Sequence, residues 1–208
     1  AADADDELVS AFGKGKIRIK FPDSNKISLT IEEVIKLEEV VLPKESPLNL
    51  ARNLWLLSFY FAGMRVSDVL RLRWKDIDNG RLSYTMGKNS KGGSFKISNK
   101  SKDKSSLIFP NLSMIENHSN LFEVQKRISN AVKTIDESLQ KLVAILGIDK
   151  KLTMHIARHT FGNLSGDKIP IQLLQKLYRH TSITTTIGYQ SNFINQDTDE
   201  ALDSVMTY

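Results

Sequence analysis

The stretch from Pro47 to Ala62, P-L-N-L-A-R-N-L-W-L-L-S-F-Y-F-A, restricts the possible folds of this chain more than any other. Leu50, Leu54, Leu57 and Phe61 recur at helical spacing, and Trp55, Phe59 and Tyr60 fill the flanks, so a helix here is apolar almost all round. Such a helix is stable only with neighbours on nearly every side, which makes it the centre of a core. Pro47 suits the first turn, where a missing N–H costs nothing, and Gly63 stands where the helix should close. Its strongest apolar run, Leu54 to Ala62, is too short to span a bilayer, and no signal-peptide pattern opens the chain. The rest of the sequence must supply the cover.

That cover is readable piece by piece. Thr30 and Glu33 form a capping box before a first helix with an apolar face of Ile31, Val34, Ile35 and Val41, ended by Pro43 to Pro47. Beyond Gly63, Ser67 is placed to cap a short helix from Asp68 to Leu72. This leaves Arg65 in the turn just before it, where backbone N–H groups favour an anion. Asn79-Gly80, between Ile77-Asp78 and Arg81 to Tyr84, is a strong hairpin signal, and a turn over Asn89 to Gly93 leads into Ser94 to Ser98. Leu107 to Pro110 reads as a short strand or an anchoring loop. Ile128, Val132, Ile135, Leu139, Leu142 and Leu146 define a long helix over 121–146, with Gly147 ending it. Thr153 is placed to cap the next helix; Gly166 to Pro170 separates it from Ile171 to Leu177, and Ser182 is placed to cap a last short helix reaching toward Tyr189. The fold class is α+β, mainly α-helical, with a small antiparallel sheet of about three strands.

The 208 residues are enough for one large domain or one and a half small ones, and the 40% hydrophobic and 25% charged content is that of an ordinary soluble globular protein. It has no cysteine, which excludes disulfides and thiolate metal sites and fits a reducing cytoplasm. A net charge of +5 and an isoelectric point near 9.3 favour an anionic partner. Lysines 88, 91, 96, 100, 102 and 104 crowd the hairpin region. They read either as a solvated edge strand defended by charge or as a basic hairpin touching DNA phosphates. Residues 1–27, an acidic patch followed by G-K-G-K and I-R-I-K-F, read as a linker or the remnant of a preceding domain, and the opening A-A-D-A-D-D without a methionine suggests a fragment.

Three of the four histidines fall between Thr153 and Tyr189, in T-M-H-I-A-R-H-T-F and L-Y-R-H-T-S-I-T-T-T-I-G-Y. On a helix, His155 and Arg158 share a face. An arginine fork grips two phosphate oxygens, an imidazole moves protons near neutral pH, and Tyr189 offers a hydroxyl nucleophile. Together these residue types suit chemistry on a phosphodiester.

With G-M-R-V-S-D-V-L-R-L-R-W at 63–74, the two late runs resemble, in order, the three motifs of the catalytic domain of tyrosine recombinases, the phage integrase family, over roughly residues 28–195. The resemblance implies a DNA breaking-rejoining enzyme fold with 28–208 as catalytic domain, and a site-specific recombinase or integrase. It implies Arg65 and Arg158 as the catalytic arginines, His155 and His180 as the motif histidines, and Tyr189 as nucleophile. Lys88 on the hairpin would be the general acid, with Lys91 its rival and both near DNA. The arginines would neutralise the transition state without metal or ATP, and Tyr189 would carry a 3′-phosphotyrosyl intermediate. No cofactor is implied.

The implied partner is double-stranded DNA, with a homotetramer on paired recombination sites, a monomeric isolated fragment, and a tail, 192–208, packing on a neighbouring protomer through its Ala201 to Met206 face. No membrane association is expected, and the implied setting is the cytoplasm, on bacterial or mobile-element DNA. A type IB topoisomerase-like nicking-closing enzyme and a non-catalytic DNA-binding protein on the same fold are the alternatives.

Where the family usually has leucine-glycine before the last histidine, this chain has Tyr178-Arg179. The bulkier residue is expected to alter the approach of His180, or Arg179 to add a phosphate contact. Asp68 is expected to brace the site, and His159, out of phase with His155, to support it. Tyr60, Tyr84 and Tyr178 are expected to be half-buried packing residues, and Gly188 to keep the Tyr189 segment mobile.

Overall fold

The computed structural model describes residues 27–78, 81–85, 92–96, 109, 111 and 120–190. These residues are mainly helical. Helix α2 (Pro47–Tyr60) sits in the middle, packed on α1 (Ile31–Glu39), α3 (Val66–Val69), α4 (Leu121–Ile145) and α5 (Met154–Ser165). Ser46 caps α2 by accepting the Asn49 N–H at 3.1 Å, and Pro47 occupies the first turn. Leu54 and Trp55 are fully buried, and Trp55 stacks on Phe59 with centroids 5.7 Å apart.

The capping box of α1 is made in both directions, at 2.7 and 3.3 Å between Thr30 and Glu33. Its buried face, however, is Val34 and Leu37; Ile31 and Ile35 are exposed, and Val41 is 95% exposed. The rotation of this nine-residue helix is set by the segment before it. Leu29 is buried and its N–H is held by the Thr160 hydroxyl on α5 at 3.0 Å, leaving α1 a single narrow stripe against the core.

The turn after α2 uses two residues of positive φ, Ala62 (53°) and Gly63 (65°), and the Ser58 hydroxyl locks it by donating to the Met64 carbonyl at 2.6 Å. Helix α3 then starts at Val66, two residues before the expected Asp68, because the Arg65 carbonyl already accepts the N–H groups of Asp68 and Val69 at 2.9 and 3.0 Å. Arg65 is therefore the N-cap residue itself.

Strands β1 (Ile77–Asp78), β2 (Arg81–Thr85) and β3 (Gly92–Lys96) pair antiparallel in that order. The register Asp78↔Arg81 leaves the two residues Asn79-Gly80 to join the first pair, and Thr85↔Gly92 leaves 86–91 to join the second. Lys88, Lys91 and the lysines at 100, 102 and 104 lie outside the described residues, as do 1–26 and the tail from 191. Leu82 and Phe109 are buried in the same core.

Helix α4 is capped by Asn120, which accepts the Glu123 N–H at 3.2 Å. It ends in a Schellman turn: Gly147, at φ 63°, donates to Ala144 and Ile148 donates to Val143. Thr153 does not cap α5 with its side chain; Asp136 on α4 accepts the Met154 N–H instead, at 2.8 Å. Among the described residues no helix is long and apolar enough to cross a membrane.

Candidate active site

Arg158 on α5 is 4% exposed and its guanidinium is held on three sides. Nη1 donates to the Gly63 carbonyl at 2.9 Å; Nη2 donates to the Tyr178 carbonyl at 2.9 Å and meets His180 Nε2 at 3.1 Å. A guanidinium has only donors, so Nε2 is the acceptor in that contact. The His180 proton then sits on Nδ1, where it donates to the Thr186 hydroxyl at 3.0 Å, a tautomer assigned from the network. The buried cation thus rests on two carbonyls and a neutral imidazole, and among the described residues no carboxylate forms an ion pair with it. Burial is the main cause depressing the Arg158 pKa; the positive charge of Arg65 adds to this, while Tyr178 and Tyr189 oppose it. Arg65, 93 positions earlier in the sequence, is therefore close enough in space for its charge to be felt at Arg158.

Gly63 makes this approach possible. A Cβ there would lie 2.7 Å from the Arg158 Cα, at a φ of 65° that favours glycine in any case. The turn after α2 lies directly against the backbone of α5.

The other half of the site comes from α6 (Ile171–Tyr178) and α7 (Ile183–Ile187). Helix α6 ends in the same Schellman turn as α4, with Arg179 donating to Lys176 and His180 donating to Gln175, each at 3.1 Å. Arg179 itself takes the left-handed conformation, φ 53° and ψ 38°. The turn usually served by glycine is thus preserved with arginine in it, and His180 still reaches Arg158.

Tyr189 follows α7, its N–H bonded to the Thr186 carbonyl at 2.9 Å. Its ring stacks on His159 at 4.6 Å and 17°, with His180 at 5.4 Å, Tyr178 edge-on at 5.0 Å and His155 at 6.5 Å. His159 is in phase with His155, contrary to expectation: four residues apart on α5, their rings meet edge to face at 4.7 Å. Gly188 has an ordinary helical φ of −62° and closes α7. Asp68 on α3 is 3% exposed. Arg179 is half-buried beside His180.

Four contributors were not singled out as parts of the site from the sequence. Tyr178 is fully buried rather than half-buried, and its hydroxyl donates to the Arg158 carbonyl. Burial raises its pKa despite the nearby Arg158 charge, so it remains a phenol. Thr186 orients His180, and buried Gln190 donates to the Gly166 carbonyl at 3.1 Å, fixing the residue after Tyr189 to the end of α5. A Cβ at Gly162 would lie 2.9 Å from both the Tyr178 hydroxyl oxygen and the Tyr189 Cβ. A glycine inside a helix, costing about 1 kcal/mol against alanine, was the one readable signal.

The profile of the phage integrase family matches residues 28–195, and the chain belongs to that family. Curated relatives are named tyrosine recombinases. It is 28% identical to XerC of Thermodesulfovibrio yellowstonii over 77% of this chain and 56% of the relative. It is 30% identical to XerA of Pyrococcus horikoshii over 82% and 58%, and 27% identical to a tyrosine recombinase of Pseudothermotoga lettingae over 97% and 67%. The chain thus spans little more than half the length of the first two. A crystal structure of XerA recombinase shares the fold, with a TM-score of 0.54 and 20% identity over 84% of this chain and 65% of that one.

Proposed function

We propose that this chain is the catalytic part of a site-specific DNA recombinase or integrase that cuts and rejoins DNA through Tyr189. The observation carrying the proposal is Arg158, a buried cation with only neutral hydrogen-bond partners, facing a tyrosine ring and within reach of the charge of Arg65. Burying an unpaired charge costs several kcal/mol, and arginine cannot escape by losing its proton. A phosphodiester lying between Arg65 and Arg158 offsets that cost.

In this reading the Tyr189 oxygen attacks phosphorus as its proton passes to an imidazole of the site; His180 Nε2 accepts that proton only by giving up its contact with Arg158. The phosphorus–O5′ bond breaks, and the 5′ oxygen takes a proton from Lys88, or from Lys91. A 3′-phosphotyrosyl bond stores the energy for rejoining, so neither metal nor ATP is required. The arginines stabilise charge on the non-bridging oxygens, where loss of one such group costs on the order of 100- to 1000-fold in rate. His155 completes the oxygen contacts; Asp68 and His159 support the site, and Arg179 adds a phosphate contact. Residues 28–208 form the catalytic domain after a linker, four protomers act on paired sites in the cytoplasm, and the 192–208 tail joins neighbours.

A pool of randomised nicked duplexes labelled on the strand upstream of the nick tests the proposal. Wild type is expected to retain label through denaturing electrophoresis and Tyr189→Phe to retain none. Equal retention by both would reject Tyr189 as the nucleophile.

A further inference from the structure

We propose that Tyr178 is a positioning residue that sets the plane of the Arg158 guanidinium and, through its ring edge, the seat of Tyr189. This rests on the function proposed above. Two bonds run in opposite directions between the same two residues: the Tyr178 hydroxyl donates to the Arg158 carbonyl, and Arg158 Nη2 donates to the Tyr178 carbonyl at 2.9 Å. Between them, the guanidinium carbon lies 3.8 Å from the Tyr178 ring centroid, within cation–π contact. The same ring presents an edge to Tyr189 at 5.0 Å and to His180 at 5.3 Å. One fully buried side chain therefore touches the phosphate-binding arginine, the last motif histidine and the nucleophile.

An aliphatic side chain at 178 would fill space but offer neither the hydroxyl nor the ring face. The fit is mutual, because the bare Cα of Gly162 is what admits the Tyr178 hydroxyl: a Cβ there would lie 2.9 Å from it. A guanidinium with neutral partners has no counter-ion to fix its tilt, so a stacked ring and a carbonyl on the same residue supply the orientation.

Single-turnover adduct formation on the labelled nicked-duplex pool, with duplex affinity measured in parallel, tests this. Tyr178→Phe keeps the ring and is expected to lower the rate about 3- to 10-fold; Tyr178→Leu removes both contacts and is expected to lower it about 30-fold. Affinity should stay within about twofold, since an arginine held at the wrong tilt still attracts DNA. In an Arg158→Lys background, which lacks the planar fork, Tyr178→Leu is expected to cost less than about threefold. Equal losses in both backgrounds, or rates that follow only the fall in melting temperature, overturn the positioning role. Tyr178→Phe leaves the packing almost intact, so it reports on the role even if the leucine variant folds poorly. Absence of any wild-type adduct instead overturns the functional reading, and this inference with it.

Discussion

Helix α5 meets two kinds of neighbour. Toward α2 it contributes Met154 and Ala157 to an apolar cluster, and Phe161 meets Phe59 edge-on at 6.1 Å. Toward α6 and α7 it contributes Arg158, His155 and His159, each engaged in directional contacts. The first face is additive: each side chain removes area from water, and losing one leaves the others in place. The second face is conditional, because the Arg158 guanidinium is bonded to Gly63 and Tyr178 and contacts His180, and His180 is oriented by Thr186. Damage to the first face should therefore appear as lost stability, and damage to the second as lost chemistry.

The largest effect should come from the apolar face. Leu54→Ala is expected to cost about 2 to 5 kcal/mol in urea unfolding, because Leu54 is fully buried in α2, while the folded fraction keeps its adduct rate. A selective loss of rate with little loss of stability would break the division between faces. Next come two glycines of nearly equal φ. Gly63→Ala should cost roughly 3 kcal/mol, since its Cβ strikes the Arg158 backbone, and should also depress the adduct rate. Gly147→Ala, with nothing within 4 Å of its Cβ, should cost only about 1 kcal/mol and leave the rate alone. Equal costs for the pair would mean that the contact with Arg158 carries no weight.

Smaller effects probe the conditional face. Thr186→Val removes the acceptor for His180 Nδ1; it should lower stability by about 1 kcal/mol and slow adduct formation by roughly tenfold. An unchanged rate would show that the His180 orientation does not depend on Thr186. Arg179→Gly should have effects of opposite sign. Relief of the left-handed arginine should raise stability by about 1 kcal/mol, while loss of a phosphate contact should weaken duplex binding and flatten its salt dependence. Unchanged binding would leave Arg179 a turn residue only.

The same contrast explains what could be read beforehand. The Thr30–Glu33 capping box and the closing Gly147 involve residues within a few positions of each other, so spacing alone exposed them. The core stripe of α4 likewise follows from periodicity, with Ile128, Ile135, Leu139 and Leu142 all buried. The rotation of α1 depends on a bond from Leu29 to Thr160, and the start of α5 on Asp136, so neither was visible locally. Motif order pointed to Arg65, Arg158, His155, His180 and Tyr189 as the proposed site. Tyr178, Gly162, Thr186 and Gln190 were hidden because their roles exist only once α6 and α7 lie against α5.

The most direct test of the account is the chemical identity of the amino acid joined to DNA. Wild-type protein trapped on nicked duplex, digested with nuclease and protease, should yield by mass spectrometry one modified peptide carrying a nucleotide remnant on Tyr189. A remnant on Tyr178, on another tyrosine or on a serine would contradict the assignment of Tyr189 as the attacking group in the cradle of Arg65 and Arg158.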